Sequence, residues 1–424
     1  MTFAIHTFGC KVNIYESEYV TNLLLNSGYK MINFNSNEEA DIYIINTCTV
    51  TNEADKKDRK LIHTTRNNHK NAILIVMGCY SQLNAGSIIA DIIIGNKYKS
   101  EIIDLIDEYN KNHQKIVKVT NITKTNFEDM YIDRFLTHTR AFVKIQDGCN
   151  AFCAYCTIPY ARGGIRSKDF DKVIAEVTNL VDSGYKEIVL TGIHTGRYGI
   201  DKHTNLEKLL RELVKIKGIF RIRLSSIEIN EITDGIIDLI KNNDIMAKHL
   251  HIPLQSGSNI ILKDMNRLYD KETFIEKIAY IRKEIPDISI TTDLILGFPG
   301  ETDELFKETL DTLNKIKFTK IHTFPYSKRS GTKAASMPNQ IDGNTKKCRV
   351  REVINLSDKY ELEYYKSKIG NIYDGIIETR KDGKKIVITS NYIPIQVETE
   401  LVNNTLVKVK LQVVNDNEIR GIIM

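Results

Sequence analysis

Apolar and polar positions follow two periods along the chain. Over the first ~120 residues, short apolar strands alternate with helical patterns. The strands read AIHTFG, DIYIINT, AILIVMG and ADIIIG. Between and after them, ESEYVTNLLLNSG, EADKKDRKLIHTTRNNH and YKSEIIDLIDEYNKN carry the helical period. A βαβ rhythm of this kind predicts a doubly wound parallel sheet with right-handed crossovers. The polar stretch VTNITKTNFEDMYIDR then reads as a linker. A second βα series starts near Thr139, with strands RAFVKIQ, EIVLTGI, FRIRLSS, HLHIPLQ, SITTDLILG and KIHTFPY. Amphipathic helices such as FDKVIAEVTNLVDSG, NLEKLLRELVKIKG and DELFKETLDTLNKIK separate them, the last with Thr302 as its N-cap. Six βα units are too few for a closed eight-fold barrel, so an open partial (β/α)6 barrel is expected. The last ~55 residues change character. YDGIIETR, KIVITS, YIPIQVET, LVKVKLQVV and IRGIIM are five short strands split by turn signals, which predict a small OB-like β-barrel. The expected organisation is therefore α/β, with domains over 1–120, 135–365 and 366–424.

Composition narrows the class. Of the 424 residues, 42% are hydrophobic and 27% charged, as in ordinary soluble proteins. No apolar run approaches the ~18 residues of a membrane span, and MTFAIHTFGC is unlike a signal peptide. A cytoplasmic protein with no membrane partner is the expectation. The net charge of +5 is unevenly spread. From Tyr326 to Arg351, seven Lys or Arg face one acid, Asp342. A charge run alone reads as a solvated linker; as a functional feature, Lys328, Arg329 and Lys333 are candidates for nucleic-acid phosphates.

The seven cysteines are too few and too odd in number for a disulfide scaffold. Cys149, Cys153 and Cys156 stand as C-x3-C-x2-C directly after the strand RAFVKIQ, at the carboxyl face where barrel active sites form. Three thiolates in one short loop suit a cubane iron–sulfur cluster with one iron open. Zinc is the competing reading, with His194 or His251 as a fourth ligand. Cys10, Cys48 and Cys79 each follow a strand of the first series. Parallel strands put such positions on one edge, so these three are expected to meet in space. The alternative is inert core cysteine. Cys348 has no partner in this scheme.

These residues carry a resemblance. C-x3-C-x2-C after the first barrel strand resembles the radical S-adenosylmethionine (SAM) superfamily. TFGCKVNIYESE, INTCTVTNEAD, MGCYSQ, HIPLQSGS, DLILGFPGETDE and FPYSKRSGTKAASMPNQI resemble its methylthiotransferases, and the last 55 residues look like a TRAM domain. GCKVNIYESE and QDGCNAFCAYCTIPYARG are most similar to the branch that modifies threonylcarbamoyl-adenosine beside the anticodon of tRNA. The resemblance implies two 4Fe–4S clusters, one on each cysteine triplet, with SAM on the open iron of the barrel cluster and sulfur presented by the other. It implies hydrogen removal from carbon 2 of the adenine at position 37 and its replacement by methylthio, with the tRNA anticodon stem-loop as substrate. An external low-potential electron donor and a monomeric enzyme are further expectations.

For SAM, the resemblance points to Tyr155 between two cluster ligands, Thr191 and Gly192 in EIVLTGI, Ser226 and Glu228 in LSSIE, and Gln255 in HIPLQ. Many relatives carry Gly-Gly-Glu where this chain has TGI, so one contact to the SAM amino group lacks its acid here. The threonylcarbamoyl group carries a carboxylate, which needs a cation when buried. Arg162 and Arg166 follow the Cys149 loop and are the candidates. Two other functions are open from sequence: methylthiolation of isopentenyl-adenosine or of a ribosomal-protein side chain, and RNA binding without catalysis around structural metal.

Overall fold

The computed structural model describes residues 1–136, 138–415 and 418–424. Thr2–Thr7, Lys30–Met31, Ile42–Thr47, Ile73–Gly78, Ile92–Ile94 and Ile116–Lys118 form one parallel sheet, with the second strand in sequence lying outside the first. Ile42–Thr47 and Ile73–Gly78 are buried at every residue, which explains their nearly unbroken apolar runs. Helices Lys11–Asn26 and Ile102–Asn112 cover one face; Asn52–Asn68 and Cys79–Asn84 cover the other. This is the expected doubly wound sheet. Strand order reverses between Thr2–Thr7 and Ile42–Thr47, the switch point where such sheets bind ligands.

All six barrel strands form: Ala141–Lys144, Glu187–Thr191, Arg221–Leu224, His249–His251, Ser289–Leu296 and Lys320–Pro325. They lie in two parallel three-stranded sheets, joined by the bridges Ile222 to Met246 and Ser226 to His251. The result is an open arc of six strands. Thr302 caps the helix Asp303–Ile316 as expected, accepting from Leu305 N at 3.3 Å. Residues 119–134 are not a free linker. Ile122, Met130 and Ile132 are buried, and Tyr15 Oη donates to Met130 O at 2.8 Å. Apolar residues spaced among the polar ones let the segment pack along the seam between sheet and barrel.

Ile372–Thr379, Lys385–Thr389, Pro394–Gln396, Leu406–Val414 and Ile419–Ile423 close into a small barrel. It docks on the amino ends of the larger barrel's strands, the end away from the cysteine loop. Arg221 donates to Ile388 O at 3.0 Å and Asp374 O at 2.9 Å, and Arg223 to Thr389 O at 3.1 Å. Tyr392 stacks on His249, with ring centroids 4.8 Å apart. The 24-residue helix Gly343–Lys366 connects the two barrels along the outside. Among the described residues, no helix is long and apolar enough to cross a membrane.

Glu187 is the buried anchor of this junction, 3.1 Å from Arg221, 2.7 Å from Arg223 and 3.7 Å from Arg140. Burial alone raises its pKa, but the three guanidinium groups override that and hold it at about 2. A carboxylate whose folded pKa lies below its unfolded value stabilises the fold fully above that unfolded value, near 4.3, and loses the contribution as pH falls towards 2. Glu187→Ala is therefore expected to cost about 3–5 kcal/mol in urea unfolding at pH 7, since it strands buried cations. The difference from the unaltered protein should shrink between pH 4 and pH 2. A difference that does not vary with pH would show that Glu187 is not held ionised.

Candidate active site between the two sheets

The first cysteine triplet stands on the carboxyl edge of the first sheet. Cys10 sits at the start of helix Lys11–Asn26, Cys48 follows Ile42–Thr47, and Cys79 follows Ile73–Gly78. Glycine makes the approach possible. Gly9 has φ +101°, and a Cβ there would lie 3.0 Å from Cys48 Sγ. Asn13, one turn into the helix, accepts from Cys10 Sγ at 3.5 Å and donates to Thr47 O at 2.8 Å. Burial pushes the Cys48 thiol up to about 12, and neighbouring Cys79 and Cys10 add repulsion against a thiolate. The parallel edge thus brings together three cysteines far apart in sequence.

The second triplet lies in the loop after Gln146–Asp147, and its sulfurs all accept hydrogen bonds. Cys149 Sγ receives Ala151 N at 3.4 Å, Cys153 Sγ receives Arg267 Nη1 at 3.4 Å, and Cys156 Sγ receives Ile158 N at 3.4 Å. Cys149 Sγ also lies 3.3 Å from His194 Nδ1. N–H donors aimed at sulfur are the outer contacts that a metal-bound thiolate uses, although burial pushes the Cys156 thiol up to about 12. Burial lowers the pKa of His194, but its bonds to Cys149 and Glu231 outweigh this and raise it to about 10. His251 is engaged elsewhere, 2.9 Å from Thr291 Oγ1 and 3.2 Å from Asp293 Oδ2. Among the described residues, no three His, Cys, Asp or Glu side chains are grouped to hold a single metal ion. Each thiolate of a cubane cluster takes a different iron, so its ligands need no common point. Three cysteines in one short loop fit a cluster of that kind.

The two edges face each other. Thr157, next to Cys156, donates to Thr49 O, next to Cys48, at 3.2 Å. A cavity of about 640 Å³ lies between them, with Cys10 and Cys48 on one wall and Cys156 on the other. That volume lies within the usual range of small-molecule sites. Tyr155 and Gln255 also line it, along with Phe8, Val50, Ile158, Ile295, Phe324 and Asp293. Burial, and then the neighbouring Cys153, raise the pKa of the Tyr155 phenol well above its ordinary value.

The other candidates are distributed as follows. Thr191 is buried, and its carbonyl accepts from Ile145 N at 2.9 Å. Gly192 packs on Gln146, where a Cβ would meet the side-chain oxygen at 3.0 Å. Ser226 bridges to the strand at His251. Glu228 is ion-paired with Arg267, the same residue that reaches Cys153.

Three cations are not where the sequence reading put them. Arg162 is fully buried, with Nη1 2.8 Å from Glu16 Oε1 and 3.2 Å from Asp147 Oδ1. Arg166 is spent on Ile122 O at 3.1 Å, Thr125 Oγ1 at 2.8 Å and Arg162 O at 2.6 Å. All three nitrogens of the Arg162 guanidinium are bonded within the protein, and of Arg166 the buried Nε alone has no partner among the described residues. Arg329 is also buried, 2.8 Å from Asp55 Oδ2 and donating to Asn52 Oδ1 at 2.7 Å, so it ties the charged segment to the first sheet instead of meeting phosphate. Lys328 and Lys333 are exposed. Sequence reading missed Arg267 and Asp293. Besides Tyr269 two residues on, the partners of Arg267 lie 39 and 114 residues away. Asp293 had a signal: an acid inside the apolar strand SITTDLILG.

A family model described as the Radical SAM superfamily matches residues 143–313, and one described as uncharacterized protein family UPF0004 matches 2–96. Threonylcarbamoyladenosine tRNA methylthiotransferase MtaB of Bacillus subtilis (strain 168) is 44% identical over 423 residues, covering 97% of this chain and 93% of its own. The chain belongs to the radical SAM tRNA methylthiotransferases. A second member of that family, tRNA-2-methylthio-N(6)-dimethylallyladenosine synthase of Thermoanaerobacter pseudethanolicus (strain ATCC 33223 / 39E), is 37% identical, covering 91% of this chain and 84% of its own. Among solved structures, the radical SAM methyltransferase TsrM from Kitasatospora setae superposes with a TM-score of 0.55 at 13% identity, over 76% of this chain and 72% of that one, which is a likeness of fold. Membership makes this methylthiotransferase an enzyme and implies a 4Fe–4S cluster and SAM.

Gly9 is the local device that the methylthiotransferase edge depends on. Gly9→Ala puts a Cβ at positive φ and against Cys48, with an expected cost of roughly 1–3 kcal/mol in chemical unfolding. An unchanged midpoint would show that the turn relaxes without strain.

Proposed function

We propose that this enzyme methylthiolates carbon 2 of N(6)-threonylcarbamoyladenosine at position 37 of tRNA, with one 4Fe–4S cluster on Cys149, Cys153 and Cys156 and a second on Cys10, Cys48 and Cys79. The observation that carries this reading is the cavity with cysteines of both triplets on its walls. The near full-length similarity to a protein named for threonylcarbamoyladenosine supports the choice of substrate. When bound, the barrel cluster with SAM would supply radical chemistry, and the N-terminal cluster would present the sulfur to be inserted. The chain's own residues bind, orient and exclude water. Phe8, Val50, Ile158, Ile295 and Phe324 give the cavity apolar walls that keep solvent from a reactive centre. Gln255 offers an amide donor and acceptor there, and Tyr155 an aromatic face for adenine. Thr191, Gly192, Ser226 and Glu228 stay as SAM candidates, Glu228 through its pair with Arg267.

With Arg162 and Arg166 occupied, Lys57 takes over the role of binding the substrate carboxylate. It is the one cation among the described residues that line the cavity. It lies on helix Asn52–Asn68, whose amino end also faces the cavity through Thr51, Glu53 and Ala54. A long flexible ammonium at the mouth suits a carboxylate on the N6 substituent. The isopentenyl form is the second reading, favoured by the apolar walls. Exposed Lys328 and Lys333 are the remaining candidates for tRNA phosphates. The reading also calls for an external low-potential electron donor and for a monomer in the cytoplasm.

Two measurements test this. Anaerobic reconstitution is expected to load about eight irons, with about four left after triple Cys→Ala replacement of either set. A plateau near four in the unaltered protein would remove the second cluster. Offered anticodon stem-loops of both kinds, the enzyme is expected to prefer the threonylcarbamoyl form, and Lys57→Met to raise KM for it about tenfold, or ~1.4 kcal/mol. Preference for the isopentenyl form would overturn the substrate assignment and leave the cluster chemistry standing.

A further inference from the structure

Arg162 occupies an unusual position for a fully buried cation. It ends the short helix Ile158–Arg162, six residues after Cys156, and reaches out of the barrel into the first sheet. Its Nε donates to Cys79 Sγ at 3.1 Å. Its Nη1 bonds Glu16 Oε1 at 2.8 Å and Asp147 at 3.2 and 3.3 Å; its Nη2 bonds Asn13 Oδ1 at 3.1 Å and Glu16 Oε2 at 3.2 Å. Glu16 and Asn13 belong to the helix that starts at Cys10, and Asp147 lies two residues before Cys149. One guanidinium therefore touches a thiol of the first triplet and braces the loops of both.

The charge balance around it is incomplete. Lys99 and Lys144 also contact Glu16, at 3.4 and 2.8 Å; Lys144 and Arg166 contact Asp147, at 2.7 and 3.6 Å. Four buried cations thus share two carboxylates, and the Lys99 ammonium has no hydrogen-bond acceptor among the described residues. An excess of buried positive charge is costly unless an anion sits beside it. The polar group that completes the shell of Arg162 is Cys79.

We propose that Arg162 is the positioning residue of the N-terminal centre: it holds the Cys79 thiolate by an N–H···S bond, supplies countercharge to the anionic cluster, and couples that centre mechanically to the barrel loop. The proposal rests on the two-cluster reading above. An N–H···S bond from a cation draws negative charge off sulfur and stabilises the reduced cluster, so it raises the reduction potential. Removing the cation lowers the potential. Removing a carboxylate that neutralises it raises the potential. These opposite signs separate an electrostatic role from a merely structural one.

The test uses the full chain with Cys149, Cys153 and Cys156 replaced by Ala, so that only the N-terminal centre carries iron, and follows its reduction by electron paramagnetic resonance against potential. Arg162→Met is expected to shift the redox equilibrium at least tenfold towards the oxidised form, 59 mV lower for one electron, and Glu16→Gln to shift it in the other direction. Arg162→Lys keeps the charge without the fork and should fall between the unaltered residue and Met. If Arg162→Met does not fold, the Lys and Gln variants decide. Potentials that stay put, or that move together in one direction, overturn the proposal while the iron count near four upholds the two-cluster reading. A background protein that binds no iron refutes that reading and the proposal with it.

Discussion

Two parallel sheets meet carboxyl edge to carboxyl edge, and a network of buried charge holds them there. Parallel strands deliver the loops that follow them to one side, so the first sheet collects three cysteines from three loops, while a single loop of the barrel carries the other three. Bringing the edges together requires burial of the polar loop ends. Glu16 and Asp147, fully or nearly buried, form ion pairs with Arg162, Lys144, Lys99 and Arg166 across that junction. Losing one member leaves an uncompensated charge in a dry place, which makes the geometry demanding. A second tie at the rim, Arg329 to Asp55, draws the segment after the last barrel strand onto the helix that follows Cys48.

Much of the architecture could be read from the apolar pattern. The runs DIYIINT and AILIVMG gave strands at Ile42–Thr47 and Ile73–Gly78, and all six barrel strands and all five C-terminal strands formed where alternation placed them. The meeting of Cys10, Cys48 and Cys79 on one edge followed from strand direction alone. What could not be read was the destination of each cation. Arg162, Arg166 and Arg329 looked free because a one-dimensional pattern shows a charge and not its partner; their acids lie 146, 15, 19 and 274 residues away. The segment 119–134 looked like a tether for a related reason. Its few apolar residues have no period, and only the seam they fill gives them meaning.

Polar groups also run through the interior of the large barrel. From the cavity-lining Asp293, His251 lies 3.2 Å away, Thr291 Oγ1 joins His251 to His249 at 2.9 and 3.2 Å, and His249 stacks on Tyr392 of the small barrel. Burial holds His249 well below the usual imidazole range, and Arg223 adds to this, so this chain of contacts passes through a neutral ring. The small barrel therefore plugs the large one: its Tyr392 fills the amino end that an open six-strand arc would leave to water.

The helix Gly343–Lys366 sets a length. Near its start, Lys346 donates to Tyr326 O at the cavity rim; near its end, Tyr365 belongs to the core of the small barrel. Its 24 residues span ~36 Å. A free nucleoside can occupy the cavity but cannot also reach the far barrel. A ligand that touches both must span most of that length. The helix thus acts as a ruler that fixes how far the cavity rim stands from the core of the small barrel.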